Sequence, residues 1–257
     1  MQFGVCGGLD LAATARASGY AYLEGSVGGA LKPLEPDAAF EAALAALRAA
    51  PLPCPALNCF VPGNLKIVGP TADPAALKAY VTTVFRRAKR AGVDTIVFGS
   101  GGARQVPDGW DRKQAWAQLV AFGRMFGPLA AAQGVTVVVE PLNRRECNIL
   151  NTVAESAELV RAIDHPAVRL LVDGYHWALD NDRAEDIVAN GRLLAHVHVA
   201  TAPNRLPPGA EPCAKLADFF RALAQAGYDG RVSFEGKLPD PAAQLPPALL
   251  TMRGLMA

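Results

Sequence analysis

The chain is 257 residues long, 51% of them hydrophobic and 19% charged, so a large core is available and disorder is excluded. Its 25 Lys and Arg against 24 Asp and Glu leave a formal charge of +1, with no electrostatic footprint for a nucleic acid or an anionic membrane. No apolar run reaches the length of a transmembrane helix. The start, "MQFGVCGGLDLAATARASG", has neither a basic n-region nor a long apolar h-region, which argues against a signal peptide. Cys6, Cys54, Cys59, Cys147 and Cys213 are an odd number without CxxC spacing, so free thiols in a reducing, cytoplasmic setting are expected.

Eight short apolar runs are predicted strands: "QFGVC" (2–6), "YAYLEG" (20–25), "PALNCF" (55–60), "DTIVFG" (94–99), "VTVVVE" (135–140), "VRLLVD" (168–173), "LLAHVHV" (193–199) and "RVSFE" (231–235). Between them lie apolar patterns at helical spacing. In "DPAALKAYVTTVFRRAKRAG", Asp73 is the expected cap and Pro74 the first helical residue. In "DRKQAWAQLVAFGRMFGPLAAAQG", the internal Gly-Pro is expected to bend or shorten the helix. "GSGGAR" (99–104) reads as a flexible turn after strand 4 rather than a phosphate loop, since it lacks the P-loop lysine spacing. One long Pro-rich loop, "TAPNRLPPGAEP" (201–212), follows strand 7.

Strands without strict alternation, each followed by a helix, indicate a parallel sheet buried on both faces. Eight of them close a barrel. The predicted fold is therefore α/β, a single (β/α)8 TIM barrel over residues 1–257. A doubly wound open sheet is the competing architecture, but no GxGxxG follows the first strand.

In such a barrel, chemistry sits at the C-terminal mouth. Strand 5 ends in Glu140, strand 6 in Asp173 and strand 8 in Glu235, while His198 lies near the end of strand 7. Three carboxylates cannot share one point with their charges intact unless a cation is present. A divalent metal resolves the conflict, and three oxygen donors with one imidazole suit Mn²⁺, Mg²⁺ or Co²⁺ better than a structural Zn²⁺. His196 faces the same way one layer deeper and reads as a hydrogen-bonded core histidine. Glu24 ends strand 2, where a mouth position competes with a cap or surface role. Trp177 is a candidate to wall the pocket, and Cys6 and Cys147 read as small buried hydrophobes.

The strings "EPLNRRECNILNT", "VDGYHW", "HVHVA" and "VSFEG", with "FGVCGGLD" and "CFVPGNLKIVGP", resemble the sugar isomerases and epimerases of the xylose-isomerase-like TIM-barrel superfamily. Among these the resemblance is to ketose 3-epimerases of the tagatose/psicose type, and it covers essentially the whole chain. It implies that Glu140, Asp173, His198 and Glu235 hold one divalent ion, Mn²⁺ first, and that Glu140 and Glu235 are the acid/base pair. It further implies that Glu146, His176 and Arg205 hold the oxygens of a small carbohydrate substrate. The chain departs in the spacing from His198 to Arg205, one residue longer, and in Trp177, where relatives often carry Met.

Epimerisation beside a ketone removes a carbon-bound proton and returns it to the other face of a cis-enediolate, work for two carboxylates on opposite sides. The same groups can move a carbonyl or expel a β-hydroxyl, so a hydroxypyruvate-type isomerase and an inosose-type dehydratase stay open. A nuclease of the apurinic-endonuclease type is disfavoured. Only His165, His176, His196 and His198 are available as histidine ligands, and no basic surplus meets phosphates. Arg104 and Lys237 are the only candidates to hold a substrate phosphate. Neither nucleic acid nor membrane is an expected partner, and a homo-oligomer stays open.

Overall fold

A computed structural model describes residues 1–256. In chain order the elements are β1 (Gln2–Cys6), α1 (Ala12–Ala17), β2 (Tyr22–Ser26), α2 (Val27–Leu31), α3 (Asp37–Ala49), β3 (Ala56–Asn58), α4 (Pro74–Ala91) and β4 (Thr95–Phe98). They continue with α5 (Gly101–Arg104), α6 (Arg112–Ala131), β5 (Thr136–Val139), α7 (Val153–Ile163), β6 (Val168–Asp173), α8 (Gly174–Leu179) and α9 (Ala184–Ala189). Then follow β7 (Leu194–Val199), α10 (Ala214–Gln225), β8 (Arg231–Phe234) and α11 (Pro241–Gly254). The eight strands close a parallel barrel in sequential order, with β1 paired to both β2 and β8. This is the predicted (β/α)8 architecture.

The main core lies between the barrel wall and its coat of helices, and includes Phe60, Phe85, Phe98, Phe122 and Phe126, whose rings meet at centroid distances of 5.0 to 6.4 Å. A second, small cluster of Val97, Val138 and Leu171 stands apart from it. By period-2 alternation Val138 and Leu171 lie one layer below Glu140 and Asp173, so an apolar floor carries the mouth. Gly4 makes room for one bulky occupant: a Cβ there would lie 2.2 Å from the Tyr22 ring.

Local signals place the helices well. Asp73 accepts from the amides of Ala75 and Ala76 at 2.9 and 3.1 Å, with Pro74 at the first helical position. Two expectations need correction. Helix α6 is not shortened at its Gly-Pro pair but continues through Pro128 to Ala131. Gly123 and Gly127 let that segment pack closely: each abuts a neighbour, Ile163 and His165, that a Cβ would strike at 2.2 and 2.8 Å. The "GSGGAR" segment is not a loose turn. Ser100 takes a left-handed conformation (φ 42°) and starts the one-turn helix α5.

Candidate active site

Glu140 follows directly on β5, Asp173 ends β6, His198 is the penultimate residue of β7, and Glu235 follows β8. One donor atom from each of the four lies within 4.8 Å of the others. His198 Nδ1 is 3.2 Å from Glu140 Oε1 and 3.4 Å from Glu235 Oε2. A single missing side chain admits this crowding: a Cβ on Gly99 would fall 2.3 Å from Glu140 Oε2.

The far side of the imidazole is held as firmly. His198 Nε2 donates to Glu24 Oε1 at 2.8 Å, His196 Nε2 donates to Glu24 Oε2 at 2.7 Å, and Ser233 Oγ donates to the same oxygen at 2.6 Å. Tyr22 Oη pairs with Ser233 Oγ at 2.9 Å. His196 is thus the hydrogen-bonded core histidine that the sequence suggests. Glu24 needs correction. The strand β2 runs on to Ser26, and Glu24 lies inside it, 0% exposed, in the barrel interior rather than at a surface or cap.

Burial of a charged group is offset here by its neighbours. Burial alone raises the Glu24 carboxyl, but His198 and His196 pull it well below the usual carboxylate range. For His198, burial lowers the imidazole while Glu24 and Glu235 push it well above its ordinary value. Burial also works against ionised Glu235, yet His198 and Arg205 hold it down at about 2. Burial keeps Glu140 and Asp173 raised.

Arg205 closes the mouth. Its Nη2 lies 2.5 Å from Glu235 Oε2 and 3.8 Å from Asp173 Oδ2, its Nη1 is 3.8 Å from Glu146, and its guanidinium rests 4.8 Å over the Tyr175 ring. The long loop after β7 fixes this placement. Thr201 Oγ1 and Asn204 Nδ2 donate to Glu211 at 2.5 and 2.6 Å, the Arg205 amide donates to Thr201 O at 2.9 Å, and Arg205 has φ 57°.

His176, on α8, turns Nε2 toward Asp173 Oδ2 at 3.5 Å, and Asn143 Nδ2 bridges His176 Nδ1 and Glu146 Oε1 at 2.7 and 2.9 Å. Asn58, at the end of β3, donates to Glu235 Oε1 at 3.1 Å. Sequence reasoning missed Asn58 and Asn143 as site residues. Their signals were present: a polar residue ending the apolar run "PALN", and the Asn of "EPLNRRE".

The cavity at the mouth has a volume of about 340 Å³ and is lined by Asn58, Glu140, Glu146, His176, Arg205 and Glu235, with residues of the β3 and β4 loops. Trp177 does not line it. Its ring packs 5.7 Å from Phe219 on α10, inside the core, because consecutive residues of α8 point apart and His176 takes the mouth side. Arg104 is likewise no phosphate ligand. It is fully buried and donates to the carbonyls of Phe98, Glu140 and Leu150 at 3.0, 2.8 and 3.4 Å, tying the β4 and β5 ends together. Lys237 is exposed and outside the cavity lining. Cys147 is buried in the core, whereas Cys6 stays half-buried beside Glu24 and His198.

The donor set fits a divalent cation. Asp173 spends Oδ1 on the Tyr175 amide at 2.8 Å, while its buried Oδ2 makes no hydrogen bond; His176 Nε2, the protonated nitrogen because Nδ1 accepts from Asn143, likewise has no hydrogen-bond partner. A carboxylate oxygen so placed is costly unless a cation or a ligand receives it.

The family described as xylose isomerase-like TIM barrel matches residues 12–254. D-psicose 3-epimerase of Ruminiclostridium cellulolyticum is 31% identical over 127 residues, 49% of this chain and 42% of that protein. The 3-dehydro-D-guloside 4-epimerase of Escherichia coli is 32% identical over 149 residues, 56% of this chain and 53% of its own. The chain thus spans about half the length of these curated relatives. A crystal structure of D-psicose 3-epimerase with D-tagatose, from Clostridium cellulolyticum H10, superposes with a TM-score of 0.84 at 21% identity, covering 100% of this chain and 99% of that one. No described helix is long and apolar enough to cross a membrane.

Proposed function

The chain belongs to the xylose isomerase-like TIM-barrel family, and from that premise we propose that it is a divalent-metal-dependent sugar epimerase or isomerase acting beside a ketone. The observation that carries this reading is the meeting of Glu140, Asp173, His198 and Glu235 within 4.8 Å, with Asp173 Oδ2 buried and without a hydrogen bond. Mn²⁺ is the first candidate, with Mg²⁺ or Co²⁺ next, because the set is rich in oxygen donors. The ion would supply Lewis acidity toward the substrate's oxygens.

The chain's own residues do the rest. Glu235 and Glu140 exchange the proton on the carbon beside the ketone from opposite faces of the sugar, each as base or acid in turn. Asn58 and Arg205 hold both oxygens of Glu235, so its free orbitals are presented in one orientation. Asn143 orients His176 and Glu146, whose remaining polar atoms meet the substrate's carbonyl and hydroxyl oxygens. Arg205, a permanent cation over the site, offsets charge that develops on the enediolate. The relatives' names place their chemistry at C3 of a free ketose or C4 of a 3-dehydro-guloside. Both need the same proton removal next to a ketone.

A screen of ketoses, 3-dehydro-glycosides, hydroxypyruvate and inososes tests this reading. The protein is stripped with chelator, verified metal-free, and assayed before and after Mn²⁺ is returned. Turnover of a keto sugar only after reloading supports the proposal, whereas a rate that survives verified removal contradicts it. A β-elimination product from an inosose would assign the dehydratase instead.

A further inference from the structure

Beside the mouth, a groove of about 570 Å³ runs outward over β1 and β2 toward α3. It shares Asn58 with the mouth cavity, and Asn58 is the residue that holds Glu235. The groove therefore adjoins the candidate reacting centre, with Asn58 in the wall of both and its Cys6 and Glu24 beside His198. The mouth alone, at about 340 Å³, lies near the small end of the range of roughly 300–1,000 Å³ for small-molecule sites.

The groove's wall is apolar and low. Leu9, Ala30, Ala43, Ala46 and Leu47 contribute to it, and the i, i+3, i+4 spacing of Ala43, Ala46 and Leu47 puts them on one face of α3. Gly7, Gly8, Gly25 and Gly29 line the rest with bare backbone. Its one charged side chain is already engaged, and its other polar groups are partly so. Both Glu24 oxygens accept from His196, His198 and Ser233. Ser26 Oγ accepts from the Gly29 amide at 3.1 Å, and the Asn58 amide is on Glu235. A second sugar ring placed here would find only the Ser26 hydroxyl, the Asn58 carbonyl and glycine backbone as partners, and would set the rest of its surface against Leu9, Leu47 and alanine methyls, where an apolar group loses no hydrogen bonds.

Resting on the keto-sugar reading above, we infer that the substrate is a keto-glycoside with an apolar substituent, and that this groove binds the substituent while the sugar occupies the mouth. A phenyl-sized group desolvated against Leu9, Leu47 and the α3 alanines should tighten binding on the order of tenfold over the same sugar carrying a methyl group.

The test compares phenyl and methyl β-D-glucosides, and their 3-dehydro forms, on the Mn²⁺-loaded protein. Calorimetric binding of the unreactive glucosides is measured alongside kcat/KM for the 3-dehydro pair. Two filled variants are included: Ala43→Phe, and Ala46→Phe at an exposed position where the fold is not at risk. The inference expects the phenyl compound to bind at least about tenfold tighter in the native protein and this preference to vanish in either variant, with the methyl compound unaffected. Equal binding of the two in the native protein, or a preference that persists in both variants, overturns it. The binding arm needs no turnover, so phenyl preference without reaction of the 3-dehydro pair would keep the apolar groove and overturn the keto-glycoside as substrate, while the ketose screen above separately decides the epimerase reading.

Discussion

Glu24 and His198 are joined inside the barrel, with His198 Nε2 donating to Glu24 Oε1 at 2.8 Å while Nδ1 of the same ring faces Glu140 and Glu235 at 3.2 and 3.4 Å. A carboxylate behind the imidazole keeps a proton on Nε2, so Nδ1 is the nitrogen that would give up its proton to a cation in the cluster, and outer partners of this kind set the orientation and basicity of a ligating histidine. Replacing Glu24 with Gln keeps the shape but weakens the acceptor. Mn²⁺ affinity should fall about 10- to 100-fold, measured by titration against a competing chelator. An unchanged affinity would show that the Glu24–His198 bond does no work at the site.

Asn143→Ala addresses the substrate side. Asn143 bridges His176 and Glu146 without touching the metal-type cluster. Loss of a hydrogen bond on the order of 1.4 kcal/mol should raise KM about tenfold with Mn²⁺ loading unaltered. A collapse of metal loading would instead place Asn143 among the structural supports of the cluster.

Arg104→Met is expected to cost folding stability. Its guanidinium serves three carbonyls, those of Phe98, Glu140 and Leu150, and the variant leaves them buried without that donor. The loss should be on the order of 3 kcal/mol in urea unfolding. A value near zero would mean that water enters and replaces the guanidinium.

How much of this was readable beforehand differs by residue. The eight apolar runs announced the barrel, since parallel strands buried on both faces cannot hide their hydrophobicity. Glu140, Asp173, His198 and Glu235 were legible because each interrupts or follows such a run at a strand end. Glu24 was not, because a carboxylate's role depends on which cross-barrel neighbours it meets, and His196, His198 and Ser233 come from β7 and β8, more than 170 residues away. Arg104 looked available because it follows a glycine run. The carbonyls that consume it come from the ends of β4 and β5 and the loop beyond, which local sequence does not reveal. Trp177 was placed on the wrong side because helix phase in a six-residue helix is set by packing, here against Phe219.

The surface offers a pH test away from the site. Asp37 opens α3, and hydrogen bonds from Arg87 and Arg86 hold its carboxyl below its ordinary value. A depressed folded-state pKa adds stability above the unfolded value and loses it as pH falls through the folded one. The stability gap between the native protein and Asp37→Asn should therefore be full near neutrality and close as the pH falls below the ordinary carboxylate value. A gap that widens on acidification would contradict the sign.

The most direct test of the proposed chemistry is proton exchange at the carbon beside the ketone. Mn²⁺-loaded protein is incubated in D₂O with D-psicose or a 3-dehydro-glucoside, and the proton is followed by NMR. The acid/base role of Glu140 and Glu235 predicts deuterium at that carbon in the native protein, none after chelation, and at least a ~10²-fold loss of net epimerisation in Glu235→Gln. Under the same role, exchange in Glu235→Gln persists from one epimer through Glu140. A Glu235→Gln protein that loads metal and epimerises at the native rate would contradict the account.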